Sequence, residues 1–363
     1  MHMADALLSP AVGGAMWAAT GVTIAYSARK VRNELDESKI PLMGVAGAFV
    51  FAAQMLTFAI PGTGSSGHLG GALILAILLG PEAAFLVMAS ILAVQALFFA
   101  DGGLLALGAN IFNLGFFPAF IAYPLIYRKI VGNVWPPSRS RIFVGSTLAA
   151  VVGLQLGALA VVLETTASGI TELPFTAFLL LMQPIHLAIG VAEGLVTAVV
   201  VLFVLEAQPE LLARSAHRKA LTGLTLKPVL VGLAVAALVT GGALAWFASS
   251  NADGLEWSIA RVMGGEERLQ GDSAAHDAAA EVQARTALLP DYAFREDDPA
   301  GEARGTASAA QASSNDDDDR AWPAIDAGTS ASGVVGALIT LAVAIALGLA
   351  LRRRAAARAK SGT

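Results

Sequence analysis

There is no cysteine among the 363 residues, which excludes disulfides, thiolate zinc sites and iron–sulfur clusters. Any metal chemistry is left to carboxylates, backbone groups and five histidines. Charge is scarce too, at 14% of residues against roughly 25% in soluble domains. No Gly-x-x-x-x-Gly-Lys-Ser/Thr loop is present, so ATP hydrolysis by that route is excluded, and no His-Glu-x-x-His pair exists from which to build an intramembrane metalloprotease. Nucleic-acid motifs and arrays of catalytic nucleophiles are missing as well, so the chain does not read as an enzyme. What is there is apolar: 56% of residues are hydrophobic, many of them in runs of about twenty, the length a helix needs to cross a bilayer.

These runs fall at 10–28, 41–60, 71–80, 82–99, 104–127, 141–164, 180–206, 228–248 and 333–351. The third is shorter than a bilayer. The expectation is an all-α integral membrane protein: a seven-segment helical bundle with one short or re-entrant member, plus two C-terminal transmembrane helices. Charge sign then sets the orientation. With the N-terminus outside, the clusters Arg29, Lys30, Arg32, Lys39; Arg128, Lys129, Arg139, Arg141; Arg214, Arg218, Lys219, Lys227; and Arg352, Arg353, Arg354, Arg358, Lys360 are all cytoplasmic. No short outside loop carries Lys or Arg, as the positive-inside rule requires of a multi-pass protein of the plasma (inner) membrane with its C-terminus in the cytoplasm. Asp5 and the lack of a basic n-region argue against a cleaved signal, so Met1 and His2 are expected to stay at the outer face.

Composition divides the chain further. Residues 1–206 hold the first seven runs, 207–227 form a basic cytoplasmic connector, 228–354 a two-helix unit, and 355–363 a cytoplasmic tail. Within the two-helix unit, 249–331 carries 17 Asp or Glu against 6 Arg, with an acidic run from Asp316 to Asp319. So little apolar surface predicts a mobile external loop, either a solvated spacer or an acidic funnel that concentrates divalent cations. His276 within it, and His217 in the basic connector, are expected to be solvated.

Met1 and His2 have a specific chemistry. A free amine, the next backbone nitrogen and the imidazole can close fused five- and six-membered chelate rings around a metal that prefers flat nitrogen coordination. A second histidine, His68, stands in the glycine-rich break Ile60-Pro61-Gly62-Thr63-Gly64-Ser65-Ser66-Gly67-His68-Leu69-Gly70-Gly71. Irregular backbone at membrane depth persists only where it is buried in protein or lines a cavity. Together the two segments offer an N4 set suited to Ni(II), Cu(II) or low-spin Co(II), although a lone loop histidine can equally be a hydrogen-bonded surface residue.

Several stretches carry a resemblance. MHMADALLSP at 1–10, the 60–71 loop, Asp101-Gly-Gly-Leu-Leu-Ala-Leu-Gly-Ala-Asn110-Ile-Phe-Asn113 and His186-Leu-Ala-Ile-Gly-Val-Ala-Glu193-Gly194-Leu-Val-Thr197 resemble the substrate-capture subunit of energy-coupling-factor nickel/cobalt transporters, the CbiM/NikM family. The likeness covers about residues 1–206. It implies that Met1, His2 and His68 bind the transported Ni2+ or Co2+, and that a membrane coupling (T) subunit and cytoplasmic ABC ATPases supply the energy. Some relatives have a Ser-His-Pro-Thr-Gly loop where this chain has Gly67-His68-Leu69-Gly70-Gly71, which keeps the histidine and leaves nickel and cobalt both open. The unit 228–354 is similar to the small accessory subunit of these systems, whose mark is Pro-Asp-Gly-Leu-Glu; here Ala252-Asp253-Gly254-Leu255-Glu256 stands in that place. The resemblance implies help in metal loading, and the plain alternative is a pair of anchoring helices.

Other polar residues in the apolar runs need a reason to be there. Asn110, Asp5 and Ser65 are the candidates to support the ligating imidazoles from behind. Gln54, Gln95, Asn113 and Gln155 read as interhelix contacts, and Gly145, Gly153 and Gly157 as close-packing positions. His186 and Glu193 lie two turns apart on one helix face, as an interhelical hydrogen-bonding pair or as a proton-coupled path in a secondary metal-ion transporter. Secondary transporters usually show paired interrupted segments, and only one break is evident here.

Overall fold

The computed structural model describes residues 2–34, 36–132, 134–264, 269, 271, 273–294 and 323–361. It is 76% helical. The elements run α1 (Pro10–Glu34), α2 (Lys39–Gln54), β1 (Phe58–Ile60), β2 (Ser65–Gly67), α3 (Ala72–Leu79), α4 (Pro81–Phe98), α5 (Leu107–Val131), α6 (Arg139–Ser168) and α7 (Phe175–Ala207). Then follow α8 (Pro209–Ala216), α9 (Lys227–Gly242), α10 (Gly254–Met263), α11 (Ala274–Thr286) and α12 (Ala327–Ser361). Among the described residues five helices, α4 to α7 and α12, are long and apolar enough to cross a membrane, while α2 and α9 are apolar but shorter.

The periodicity of α7 shows what solvates it. Met182, His186, Ile189, Gly190, Glu193, Gly194 and Thr197 are buried, while Leu187, Val191, Leu195 and Val199 are exposed at intervals of four. The polar groups face the protein and the aliphatic ones face out, the reverse of a water-facing helix. Small residues bring its neighbours close: a Cβ built on Gly190 or Gly194 would fall 2.7 Å from Val151 Cα or 2.3 Å from Thr147 Cα, so α6 and α7 touch backbone to backbone.

The apolar run expected over 41–60 is divided. Helix α2 stops at Gln54, and residues 58–67 turn back as a two-stranded antiparallel hairpin, Phe58 opposite Gly67 and Ile60 opposite Ser65. Pro61 cannot continue a helix, and Gly62 (φ +79°) and Gly64 (φ +78°) take up the positive dihedrals of the turn. The hairpin delivers the chain to α3, whose eight residues span only about 12 Å. Helix α8 packs beneath α3, with Ser215 Oγ donating to the Ile77 carbonyl at 3.0 Å, and Arg218 reaches Glu82 at 3.0 Å. The connector is thus folded onto the bundle.

The acidic stretch 249–331 is also more ordered than its composition suggests. Its described parts include α10 and α11, both packed on the bundle; residues 295–322 lie outside the described residues. The expectation of solvation for His276 is corrected: the residue is 7% exposed, and its ring makes three hydrogen bonds. Helices α9 and α12 pack on each other and on α2.

Because α6 and α7 meet through backbone, Gly194→Ala should overpack the crossing. The expected cost is about 1–3 kcal/mol, read as a thermal midpoint several degrees lower in detergent, with no change at exposed Leu195→Ala.

Candidate metal centre

The start of the chain is tied into the bundle. Asn110 of α5 accepts from the Met3 backbone N–H at 2.8 Å and donates to the Met3 carbonyl at 3.1 Å, and Gly103 N–H adds a bond to the same carbonyl at 2.9 Å. Asp5 accepts from Ala106 N–H at 2.9 Å, just ahead of α5. Met3, Leu7 and Leu8 are fully buried, which supplies the apolar reason for the segment to enter. Each residue flanking His2 on the described side is therefore fixed.

His2 consequently lies against His68. The two rings stack with centroids 5.0 Å apart and planes 24° from parallel. The His2 side chain is 10% exposed, and its Nδ1–H donates to Asp101 Oδ1 at 2.7 Å. Its Nε2 is buried and makes no hydrogen bond. Met1, the third expected ligand, lies outside the described residues.

The loop that carries His68 is held from three sides. Both oxygens of Glu193 accept backbone amides, from Gly70 at 2.7 Å and Gly71 at 3.1 Å. Gln54 donates to the Gly70 carbonyl at 2.9 Å and is itself braced by Gln95 at 3.1 Å. Gly71 sits at φ +80° with its missing Cβ against Val50, so both its backbone and its space require glycine. Glu193 therefore serves as a loop anchor. His68 Nδ1–H donates to the Leu69 carbonyl at 3.1 Å, which leaves Nε2 as the nitrogen with a lone pair.

The third side is the two-helix unit. Asp253 pairs with Ser66 as an isolated parallel bridge, with Ser66 N–H donating to the Ala252 carbonyl and Ser66 Oγ to the Asn251 carbonyl, both at 2.8 Å. The Asp-Gly-Leu-Glu motif has a local explanation as well: Asp253 caps α10, and Glu256 reaches back to accept the Asp253 N–H at 3.3 Å. Gly254 is needed because a Cβ there would fall 2.4 Å from Ile185 of α7. Asp253, His68 and His186 line one small pocket with Gly70, Leu114, Leu154 and Ile189.

Further along, the same unit covers the N-terminal segment. His276 Nε2–H is shared between the carbonyls of Asp5 at 3.1 Å and Leu8 at 3.0 Å, while Nδ1 accepts from Ser273. Gln283 donates to the Gly102 carbonyl at 2.8 Å, and the Tyr292 hydroxyl to Asp101 Oδ2 at 2.5 Å. Asp101 is held down at about 2: desolvation would raise it, but the charge and hydrogen bond of His2 and the Tyr292 hydroxyl outweigh burial. It is therefore a charged acceptor at any physiological pH.

Of the expected supporting residues, Asn110 and Asp5 hold the segment carrying His2, and the Ser65 hydroxyl pairs with Thr63 Oγ1 at 2.7 Å inside the hairpin turn. Gln54, Gln95 and Gln155 make the expected interhelix bonds, and Asn113 reaches Glu164 at 2.8 Å. Asp101, Asp253, His276 and Tyr292 were not singled out as site residues from sequence. Two signals bore on them, the stretch that begins at Asp101 and the Asp-Gly-Leu-Glu motif, and each pointed to a family likeness rather than to a contact. Among the described residues no three His, Asp or Glu side chains form a ready-made metal cage.

A multi-pass helical bundle that holds His2 against His68 of the break between two helices has the form of a transition-metal transport component, and comparison with known proteins agrees. Residues 2–211 match the family described as CbiM, the cobalt uptake substrate-specific transmembrane region, and residues 227–353 match the PDGLE domain. The chain belongs to the CbiM family and carries a PDGLE domain in the same polypeptide. A relative in Archaeoglobus fulgidus, named as a fused nickel transport protein NikMN, is 30% identical over 96% of this chain and 98% of its own. The fused nickel transport protein NikMN of Rhodobacter capsulatus is 31% identical over 59% of this chain and 64% of its own, and the cobalt transport protein CbiM of Sorangium cellulosum 32% over 59% and 95%. The crystal structure of a truncated transition metal transporter superimposes with a TM-score of 0.50 at 32% identity, covering 57% of this chain and 99% of that one.

Burial in the pocket pushes the His68 imidazole down from 6.5 to about 4, chiefly by desolvation. The folded protein thus takes up this proton only below about pH 4, whereas the unfolded chain takes it up near 6.5. The contribution to stability is complete above 6.5 and is lost as pH falls towards 4. Imidazole NMR of the metal-free protein should show His68 neutral at pH 5.5, and His68→Gln should flatten the acid side of the stability profile.

Proposed function

We propose that the chain captures Ni2+ or Co2+ at the outer face of the plasma membrane, as the substrate-specific component of an ATP-driven energy-coupling-factor transporter. The ligands are the Met1 amine, the His2 amide nitrogen, the His2 imidazole and the His68 imidazole, a planar N4 set. Closing the six-membered ring takes His2 Nδ1, so loading turns the His2 ring from Asp101 to the ion. The observation that carries this reading is the stacked pair of His2 and His68, brought together across 66 residues of sequence by two independent sets of backbone hydrogen bonds.

In the same reading seven segments form the capture domain and two belong to the fused loading unit, with the N-terminus outside and the C-terminus in the cytoplasm. A membrane coupling subunit and cytoplasmic ABC ATPases act as partners, the cargo crosses the lipid bilayer with them, and nucleic acid takes no part. Glu193 gives both carboxylate oxygens to the metal loop, which favours anchoring over a proton-coupled path through Glu193 and His186.

Equilibrium binding of Ni2+ and Co2+ to the purified chain, with uptake in cells, tests the proposal. His2→Ala, His68→Ala and a one-residue extension ahead of Met1 should each weaken binding by at least about 100-fold, roughly 2.7 kcal/mol, while the protein still inserts. Binding that survives the extension would refute the amine as a ligand.

A further inference from the structure

We propose that His186 supplies an axial nitrogen to the captured ion, above the plane of the four donors, and so biases the site towards Co2+ over Ni2+. The inference rests on the N4 reading of the centre and deepens it, from the site to the choice of cargo.

The His186 ring, 1% exposed, is oriented as metal-ligating imidazoles are. Its Nδ1–H donates to the Met182 carbonyl at 2.7 Å, which fixes the tautomer and leaves a lone pair on Nε2. That Nε2 is buried and has no hydrogen-bond partner, a state that is unfavourable where nothing compensates it. Among the histidines only His2 Nε2 shares it. His186 opens onto the same pocket as His68, a cavity of about 10 Å3, room for one water-sized particle. The loop bearing His68 is pinned to α7 seven residues further on, at Glu193, so the ligand and the axial candidate are referenced to one helix.

The chemical consequence separates the two cargoes. Planar Ni(II), with eight d electrons, keeps its filled orbital pointing along the axis and gains little from a fifth donor. Low-spin Co(II), with seven, holds a single electron there and accepts one readily. An axial imidazole therefore stabilises the cobalt complex selectively.

The test uses the full chain loaded anaerobically with Co2+ or Ni2+. Electron paramagnetic resonance of the cobalt form should show low-spin Co(II) whose parallel features are split into triplets by one axial 14N, and His186→Ala should abolish that splitting. The same variant should lose about tenfold or more in Co2+ affinity and less than about threefold in Ni2+ affinity, with His186→Gln, which restores volume but no imidazole, behaving alike. A merely structural role would weaken both ions equally, and an axial water would leave the wild-type signal unsplit; either result overturns the inference while the N4 reading stands. Cobalt or nickel binding that ignores His2 and His68 would overturn both.

Discussion

One side-chain amide governs the centre. Asn110 pairs with the Met3 backbone through both its donor and its acceptor, as a neighbouring strand would. Chain termini are ordinarily the loosest part of a fold, and a backbone inserted among membrane helices without partners loses far more than it gains. Asn110, with Asp5 and Gly103, removes that penalty for the residues following His2. Only then can an imidazole from residue 2 be held against one from residue 68.

The second constraint is that the loop carrying His68 is shared property. Its amides belong to Glu193 on α7, its carbonyl at Gly70 to Gln54 on α2, and its strand β2 to the Ser66–Asp253 bridge. The Asp-Gly-Leu-Glu sequence makes sense in these terms: one residue bridges to the loop, one is small enough to approach α7, and one closes the cap of α10. The PDGLE domain thus forms one wall of the pocket lined by His68 and His186, and through His276, Gln283 and Tyr292 it also covers the N-terminal segment from above. Helical spans supply the frame, and the short irregular pieces between them do the holding.

Sequence made the frame legible because its signals are local. Apolar runs, segregated basic clusters and the glycine-rich break at 60–71 mark helices and the loop, and His2 and His68 stand out in a chain with five histidines. The hairpin inside 41–60 was hidden because Phe58 to Ile60 is as apolar as the helix before it. Acidic composition concealed α10 and α11, which dock on the bundle through a few buried residues such as Leu255, Ile259 and His276. Asp101 lies 99 residues from His2, Asp253 187 from Ser66 and Tyr292 191 from Asp101, and no local pattern joins partners so far apart. His276 carried the opposite signal, a polar residue in a polar stretch, and is buried because its two ring nitrogens find a hydroxyl and two carbonyls.

Planar nitrogen coordination is the claim on which function depends, and X-ray absorption at the nickel edge of the loaded full-length chain reads it directly. With the proposed ligand set, the loaded ion should show four nitrogen donors in a plane and the sharp 1s to 4pz feature of a square-planar ion. A six-coordinate, oxygen-rich shell would contradict it.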